Sequence, residues 1–536
     1  MFESSLKFLM NKVIDVLVSA FRLKNRAQIS VALLATGLCA SALLFFSMKQ
    51  SPVASKPNIV YILADDLGYG DLSVYNPQGK IKTPNLDRLA AQGMRFTDAH
   101  SPSSVCTPTR YGLMTGRYPW RSRLPVGVLR GYSRSLIEQD RLTVPAMLKK
   151  AGYQTGMVGK WHLGVDWVSV PEQKNLEKEP LYGITNEMNP EHIDFYKAPT
   201  NGPTTLGFDY TFFLPASLDM PPYCYLENDR LTEKPTAYTP GNSLSSGYTG
   251  PFWREGNMAP SFDFFQVLPT FIQKATDFLR RQSSQKPFFL YLALAAPHTP
   301  WMPTENYRGK SAAGEYGDFV QMVDAQVGRV LHTLDSLGLA ENTLVFFTSD
   351  NGPFWRPAFT QQFGHAAAGN LRGMKGDAYE GGHRVPFIVR WPGKVKPGSV
   401  SEASTTLTNL LATCAEVVNQ AFPATMVEDS YSILPVLLGK SQTVPQQPAI
   451  VHSASNGYFA IRKGPWKLIA GLGSGGFTEP QKIKPVAGGP TAQLFNLAND
   501  PAETRDLFAM HPEKVQELTA LLKTIQESKT QIKSQP

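Results

Sequence analysis

Two short apolar runs, each ending on oxygen-bearing side chains, constrain this 536-residue chain more than any other feature. Asn58-Ile59-Val60-Tyr61-Ile62-Leu63-Ala64 and Thr343-Leu344-Val345-Phe346-Phe347-Thr348 lack polar alternation, the pattern of strands covered on both faces in a parallel or mixed sheet. Covered strands need helices, and the spacing predicts them at residues 83–92 behind a Thr83 cap, 144–150, 262–281 and about 317–337. Further strands are expected at 153–158, 208–214, 287–294 and 385–391, with helices at 407–417 and 432–438. The fold class is α/β, a large mixed, mostly parallel sheet flanked by helices. Beyond a polar, proline-bearing stretch near residues 440–447, short strands at 449–452, 458–461, 466–470 and 493–497 and a helix at 512–527 predict a smaller C-terminal antiparallel sheet with one helix.

The ends of the two apolar runs carry the chemistry. The first stops on Asp65-Asp66 and the second on Ser349-Asp350-Asn351-Gly352. In an open α/β sheet ligands gather beyond the carboxyl ends of strands, so these side chains are expected along one edge. Adjacent carboxylates repel unless something positive lies between them; a solvated loop is the alternative. Four hard oxygen donors without histidine or thiolate suit Ca²⁺ or Mg²⁺, and Ca²⁺ better tolerates irregular carboxylate geometry.

A second stretch, Ser104-Val105-Cys106-Thr107-Pro108-Thr109-Arg110 with Gly116 as its stop, places a cysteine at the start of a helix. Outward-pointing backbone N–H groups there attract anions and would lower a thiol's pKa. Taken alone, Cys106 reads more readily as a buried free cysteine or an ordinary reactive one than as an anion-site residue. Residues 165–260, rich in Pro, Tyr, Gly and Asn, read as long loops over the mouth of a cleft, where specificity usually resides.

Residues 29–48 carry no charge and follow Lys7, Lys12, Arg22, Lys24 and Arg26. This is a signal segment or an uncleaved anchor, long enough to span a bilayer. The catalytic part is therefore expected outside the cytoplasmic membrane, whether periplasmic, extracellular or anchored, with membrane contact only through this segment. Cys39 sits in a poor lipidation context. Residues 1–49 hold six Lys/Arg against Glu3 and Asp15, which accounts for half of the formal charge of +8. No basic tract interleaved with aromatics suggests nucleic-acid binding. Cys106, Cys224 and Cys414 are too few for a disulfide-built fold, although Cys224 and Cys414 could pair. The expected organisation is a leader and linker to residue 55, a catalytic domain over 56–443 and an α+β subdomain over 444–536.

Taken together, the motifs resemble those of the formylglycine-dependent type I sulfatases, arylsulfatase-like members of the alkaline phosphatase superfamily. Cys106-Thr107-Pro108-Thr109-Arg110 resembles the C-x-P-x-R signature, residues 58–66 the opening strand with its Asp pair, and Gly159-Lys160-Trp161-His162-Leu163-Gly164 the G-K-W-H-L-G element. Ser349-Asp350-Asn351-Gly352 resembles S-D-N-G, and residues 460–468 and 494–507 resemble the C-terminal region. The resemblance implies that a formylglycine-generating enzyme converts Cys106 to an aldehyde whose hydrate attacks sulfur. It also implies a metal held by Asp65, Asp66, Asp350, Asn351 and modified Cys106. Arg110 would bond the hydrate, while Lys160 and Lys375 would bind sulfate oxygens. His298 would protonate the leaving alcohol, and His162 would take the proton that expels sulfate.

Trp355 and Arg356, just past the metal motif, are expected to form a sugar or aryl subsite. His365 and His383 are readable either as substrate contacts or as structural residues. The expected activity is sulfate ester hydrolysis on a sulfated carbohydrate or aryl sulfate. Its competitors are a phosphoester or phosphonate hydrolase on the same scaffold and a catalytically silent protein that binds anionic glycans.

Overall fold

The computed structural model describes residues 56–124, 126–170, 187–242, 252–283 and 285–532. The expected leader, with its apolar run over 29–48 and Cys39, lies outside them. Among the described residues no helix is long and apolar enough to cross a membrane.

The two apolar runs form neighbouring parallel strands at the centre of a ten-stranded sheet. With strands numbered in chain order, β1 (Asn58–Ala64) lies between β7 (Phe288–Ala293) and β8 (Thr343–Ser349), and Ala64 is in register with Ser349. Beyond β7 follow β3 (Gln154–Lys160) and β4 (Tyr210–Leu214), both parallel, so five adjacent strands run the same way. On the far side of β8, β9 (Phe387–Arg390) is antiparallel, followed by β2 (Met94–Phe96) and β10 (Ser399–Ser401). Two short antiparallel strands, β5 (Leu226–Glu227) and β6 (Arg230–Leu231), extend the opposite edge. They come from the loop-rich stretch, which also contributes a ribbon of Ala237–Thr239 against Gly256–Met258.

All seven residues of β1 and of β8 are buried, as unbroken apolar runs require. Helix α1 (Pro84–Ala91) begins after Thr83, but the Thr83 hydroxyl does not cap it. That oxygen accepts the Ser73 N–H at 3.0 Å, while the Asp324 carboxylate accepts the Asn85 and Leu86 N–H groups at 3.2 and 2.8 Å. The cap thus comes from α4 (Gly314–Ser336), which packs on α3 (Val267–Arg280) and on α1. Helix α2 (Cys106–Thr115) ends at Gly116, whose φ of 64° is the left-handed conformation that favours glycine.

The small antiparallel sheet holds β11 (Ile450–Ser453), β12 (Phe459–Lys463), β13 (Trp466–Ile469) and β14 (Gln493–Asn496) in sequence order. Alternation gives it two apolar faces. Val451, Ile461, Leu468 and Leu494 pack with Leu518, Leu522 and Ile525 of the C-terminal helix at Pro512–Glu527, whereas Ala460, Ile469 and Phe495 pack with Ala378 and Tyr379. The chain from Lys56 onward is one compact unit. The small sheet begins at Ile450, shortly beyond the expected boundary at residues 443/444. Cys106, Cys224 and Cys414 are all buried and free, so the pairing of Cys224 with Cys414 is not made.

Candidate active site

Each of the five central parallel strands delivers polar residues to the same edge. β1 ends at Asp65-Asp66, β8 at Asp350-Asn351 and β3 at Lys160, while the segment after β7 carries His298 and the segment after β4 carries Ser217 and Asp219. Gly159 is required one residue before Lys160: its φ is 124°, and a Cβ there would lie 1.7 Å from the Ala293 carbonyl oxygen.

Helix α2 places Cys106 against this edge. Its sulfur, a carboxylate oxygen from each of Asp65 and Asp66, and a ring nitrogen of His298 lie within 4.8 Å of one another. Lys160 Nζ donates to Asp65 Oδ2 at 2.7 Å, and Lys375 Nζ to Asp66 at 2.8 Å. These are the positive groups that adjacent carboxylates need. Arg110, one helical turn beyond Cys106, faces Asp350 and donates from Nη1 to the Lys160 carbonyl oxygen at 2.9 Å. The expected set is therefore assembled: Asp65, Asp66, Cys106, Arg110, Lys160, His298, Asp350, Asn351 and Lys375, with His162 adjoining through the helix start. The Thr107 hydroxyl donates to the His162 carbonyl oxygen at 2.9 Å.

The donor set fits a hard cation. Asn351 uses its amide NH₂ on Asp66 Oδ1 and on the Gly352 carbonyl oxygen, at 2.7 and 2.9 Å. Its Oδ1, like Asp65 Oδ1, is buried without a hydrogen-bond partner among the described residues. Buried oxygens left this way are costly unless something positive meets them. Burial and the neighbouring Asp65 push the Asp350 carboxyl up to about 7. Burial alone would raise Asp65 as well, but Lys160, His298 and Arg110 hold it well below the usual carboxylate range.

The expectation that a helix start would activate Cys106 as a thiol is corrected by its burial. The sulfur is enclosed, and desolvation pushes the thiol up to about 12 against the pull of Lys160 and Lys375.

Both histidines of the expected set are held in defined positions. His162 has φ 57°, a strained setting for a residue with a side chain. Its Nε2 meets the Leu129 carbonyl oxygen at 2.7 Å, so Nε2 carries the hydrogen and Nδ1 is left with a buried, unpartnered lone pair. Burial, then Lys160 and Arg110, push its pKa well down, keeping the ring neutral. His298 Nε2 lies 3.6 Å from Asp66, while its Nδ1 meets the Thr299 carbonyl oxygen at 2.5 Å and faces Asp219 Oδ1 at 3.9 Å.

Ser217 and Asp219 were not anticipated. Ser217 accepts from Lys160 Nζ at 3.2 Å and lies 3.4 Å from His298 Nδ1. Their only sequence signal is position, just after an apolar run ending at Leu214.

Other expected residues lie elsewhere. Trp355 is buried for the most part, although it also lines a cavity with Thr360, Arg372 and Met374. Its ring packs among Tyr316, Phe359, Phe363 and His365, and its indole N–H donates to the His365 carbonyl oxygen at 2.9 Å. Arg356 is exposed over the Phe354 ring. His365 is buried between Asp71 at 2.7 Å and the Lys80 N–H at 3.2 Å. His383 belongs to a buried stack with His100 and His452. Both are structural, since no ring atom is left for a substrate.

The small sheet braces the site. The Asp377 carboxylate accepts the N–H groups of Met374, Phe477 and Thr478 at 2.9, 2.7 and 3.0 Å. The Gly376 N–H donates to the Ser104 carbonyl oxygen at 2.8 Å. Gly476 is needed because a Cβ there would stand 2.2 Å from Gly376 backbone atoms. Lys375 and the start of α2 are thus tied to the loop after β13. Deeper in, Lys467 bridges Glu380 and Glu503 at 3.0 and 2.8 Å and donates to His383 Nε2 at 3.1 Å.

Comparison with known proteins adds what geometry alone does not. Residues 57–420 match the Sulfatase family. The chain is 36% identical to an N-acetylgalactosamine-6-O-sulfatase of Bacteroides thetaiotaomicron over 88% of this chain and 93% of the relative. It is 33% identical to human arylsulfatase A over 90% of this chain and 89% of that protein. A solved structure described under the metabolism of multiple glycosaminoglycans by Bacteroides thetaiotaomicron superposes with a TM-score of 0.75 at 34% identity, covering 89% of this chain and all of the other.

Proposed function

The chain belongs to the sulfatase family, and from that premise we propose that it removes sulfate from sulfated carbohydrates by way of an aldehyde made from Cys106. The observation that carries this reading is the meeting, in one buried pocket, of Cys106 with Asp65, Asp66 and His298. A formylglycine-generating enzyme is the implied partner in maturation. The segment over residues 29–48 supports export or anchoring at the cytoplasmic membrane.

Asp65, Asp66, Asp350 and Asn351, with an oxygen at position 106, would hold Ca²⁺, with Mg²⁺ as the alternative. The ion would supply positive charge to sulfate oxygens, and the hydrated aldehyde the attacking hydroxyl. The chain's own residues account for the rest. Lys160 and Lys375 are point charges able to turn from the carboxylates to sulfate oxygens. Arg110 holds Asp350 in place. The bare Nδ1 of His162 is a base for a proton leaving residue 106, and His298 is the acid for the departing alcohol.

The test is peptide mass spectrometry across Cys106 on protein from a host able to make formylglycine, followed by turnover of sulfate and phosphate esters sharing one leaving group. An aldehyde-mass peptide and preferred sulfate turnover are expected. A thiol at Cys106 in a competent host, or dominant phosphatase activity, overturns the proposal.

A further inference from the structure

Asp65 and Asp66 follow one another at the end of β1, and in an extended strand neighbouring side chains point to opposite faces. Both nevertheless bring a carboxylate oxygen to the same pocket. The backbone allows this by turning at Asp66, whose φ of 62° is left-handed. A residue with a side chain keeps that conformation only where its surroundings hold it.

The peptide between Asp66 and Leu67 is gripped at both ends. Its N–H donates to Ser349 Oγ at 2.9 Å, and its carbonyl oxygen lies 3.3 Å from the hydroxyl of Tyr316, in the first turn of α4. That hydroxyl donates to the Asp71 carboxylate. Asp71 also accepts the Gly68 N–H at 2.6 Å and meets His365 Nε2 at 2.7 Å. Since His365 Nδ1 accepts the Lys80 N–H at 3.2 Å, Nε2 carries the ring hydrogen and donates it to Asp71. One carboxylate thus gathers donors from its own turn, from α4 and from the loop that leads to Lys375. The Gly70 N–H ties the same turn to that loop, donating to the Ala367 carbonyl oxygen at 2.6 Å. Asp71, Tyr316 and His365 are each about 1% exposed, so none of them meets a ligand from solvent.

Buried polar side chains can serve the fold alone. Asp318, two residues further along α4, does so: its carboxylate accepts the N–H groups of Gly309, Lys310 and Ser311, at 2.7, 2.9 and 2.7 Å, all in the chain before the helix. The Asp71 set differs because it ends on the backbone of a residue whose carboxylate lies within 4.8 Å of the Cys106 sulfur. Losing the Tyr316 hydroxyl would free the carbonyl end of that peptide, and relaxation of φ toward the extended region would swing the Asp66 carboxylate out of the pocket.

We infer that Asp71, Tyr316 and His365 are positioning residues that keep Asp66 turned into the pocket, and that they thereby set how tightly the site holds its divalent cation. The inference rests on the metal reading proposed above and extends it to residues outside the set that would hold the ion.

The test is calorimetric titration of Ca²⁺, with Mg²⁺ in parallel, into full-length protein stripped of metal with EDTA. Tyr316→Phe removes the hydroxyl and keeps the ring that packs on Trp301 and Trp355. Asp71→Asn keeps the shape and replaces one acceptor oxygen by a donor. Both should bind the ion about 10–100-fold more weakly than wild type. Asp318→Asn, which disturbs a comparable buried carboxylate in the same helix, should lower the melting temperature without moving the affinity. In turnover, kcat of Tyr316→Phe should return toward wild type as Ca²⁺ is raised, and the half-activating concentration should rise by the same factor as Kd. Wild-type affinity in folded Tyr316→Phe, an equal loss in Asp318→Asn, or a kcat that added ion does not restore would each overturn the inference; should Asp71→Asn fail to fold, Tyr316→Phe decides. Wild-type protein that binds neither ion would overturn the metal reading and the inference with it. Failure of the sulfatase reading would show separately, as wild-type enzyme that binds the ion and carries the aldehyde yet cleaves no sulfate ester.

Discussion

Arg110 clasps Asp350 through two nitrogens on a single oxygen: Nε and Nη2 donate to Oδ2 at 3.0 and 2.8 Å, with both side chains fully buried. Breaking such a pair leaves one charge buried without a partner. Arg110→Ala is therefore expected to cost about 3–5 kcal/mol of stability. Arg110→Lys, which keeps the charge but loses the fork, should cost less yet remain well below wild type in kcat. Denaturant melts and sulfate-ester turnover of the two variants check this; a fully stable Arg110→Ala would refute it.

Asp377 gives the second prediction. Its carboxylate accepts three backbone N–H groups from both sides of the seam between the sheets. Each donor left unsatisfied costs about 1–3 kcal/mol. Asp377→Ala should lower the melting temperature and cut kcat/KM by about tenfold or more, because Lys375 is two residues away and shares the same turn. Phe477→Ala, which spares the backbone contacts, should do less. Steady-state kinetics on both variants decide.

Cys106 gives a third. With its thiol enclosed and pushed up to about 12, unconverted protein should resist iodoacetamide at neutral pH while folded and react at once in denaturant. Mass spectrometry of the 106 peptide after timed alkylation reads the difference. Rapid labelling of the native protein would contradict the burial.

The pH dependence of stability follows from buried histidines. His100, His162, His383 and His452 all have pKa values lowered by burial, so the fold keeps them neutral. Below about 6.5, their ordinary value, the unfolded chain takes up protons that the fold refuses. Stability is thus full above that pH and falls as pH drops, by up to about 1.4 kcal/mol per pH unit for each histidine. Melting temperature should be lower at pH 5.5 than at 7.5. His452→Leu should reduce the slope by one proton; its ring nitrogens have no well-formed hydrogen bond among the described residues. An unchanged slope would remove His452 from the account.

Much of this was readable before any coordinates. The strands that end on Asp65-Asp66 and Asp350-Asn351 announce themselves because burial on both faces enforces unbroken apolar runs, and their common edge follows from parallel order. What escaped has a common cause. The cap on α1 comes from Asp324, 241 residues from Thr83 along the chain, and local pattern cannot see a partner that distant. Ser217 and Asp219 occupy a segment without periodicity. An aromatic beside a polar motif, such as Trp355, looks the same in sequence whether it faces a cleft or packs on Tyr316. The thiol of Cys106 was judged from its helix, whereas burial, which outweighs the pull of Lys160 and Lys375, decides its state.

The backbone contact between Gly376 and Gly476 also sets a clock. A nascent chain presents Cys106 long before it presents residue 476, and the pocket cannot close until the later loop arrives. At about 5–20 residues per second, the interval is roughly 20–70 s. For that time the sulfur can be reached by whatever chemistry is to act on it, and once the last strands dock it is sealed in whichever form it then holds.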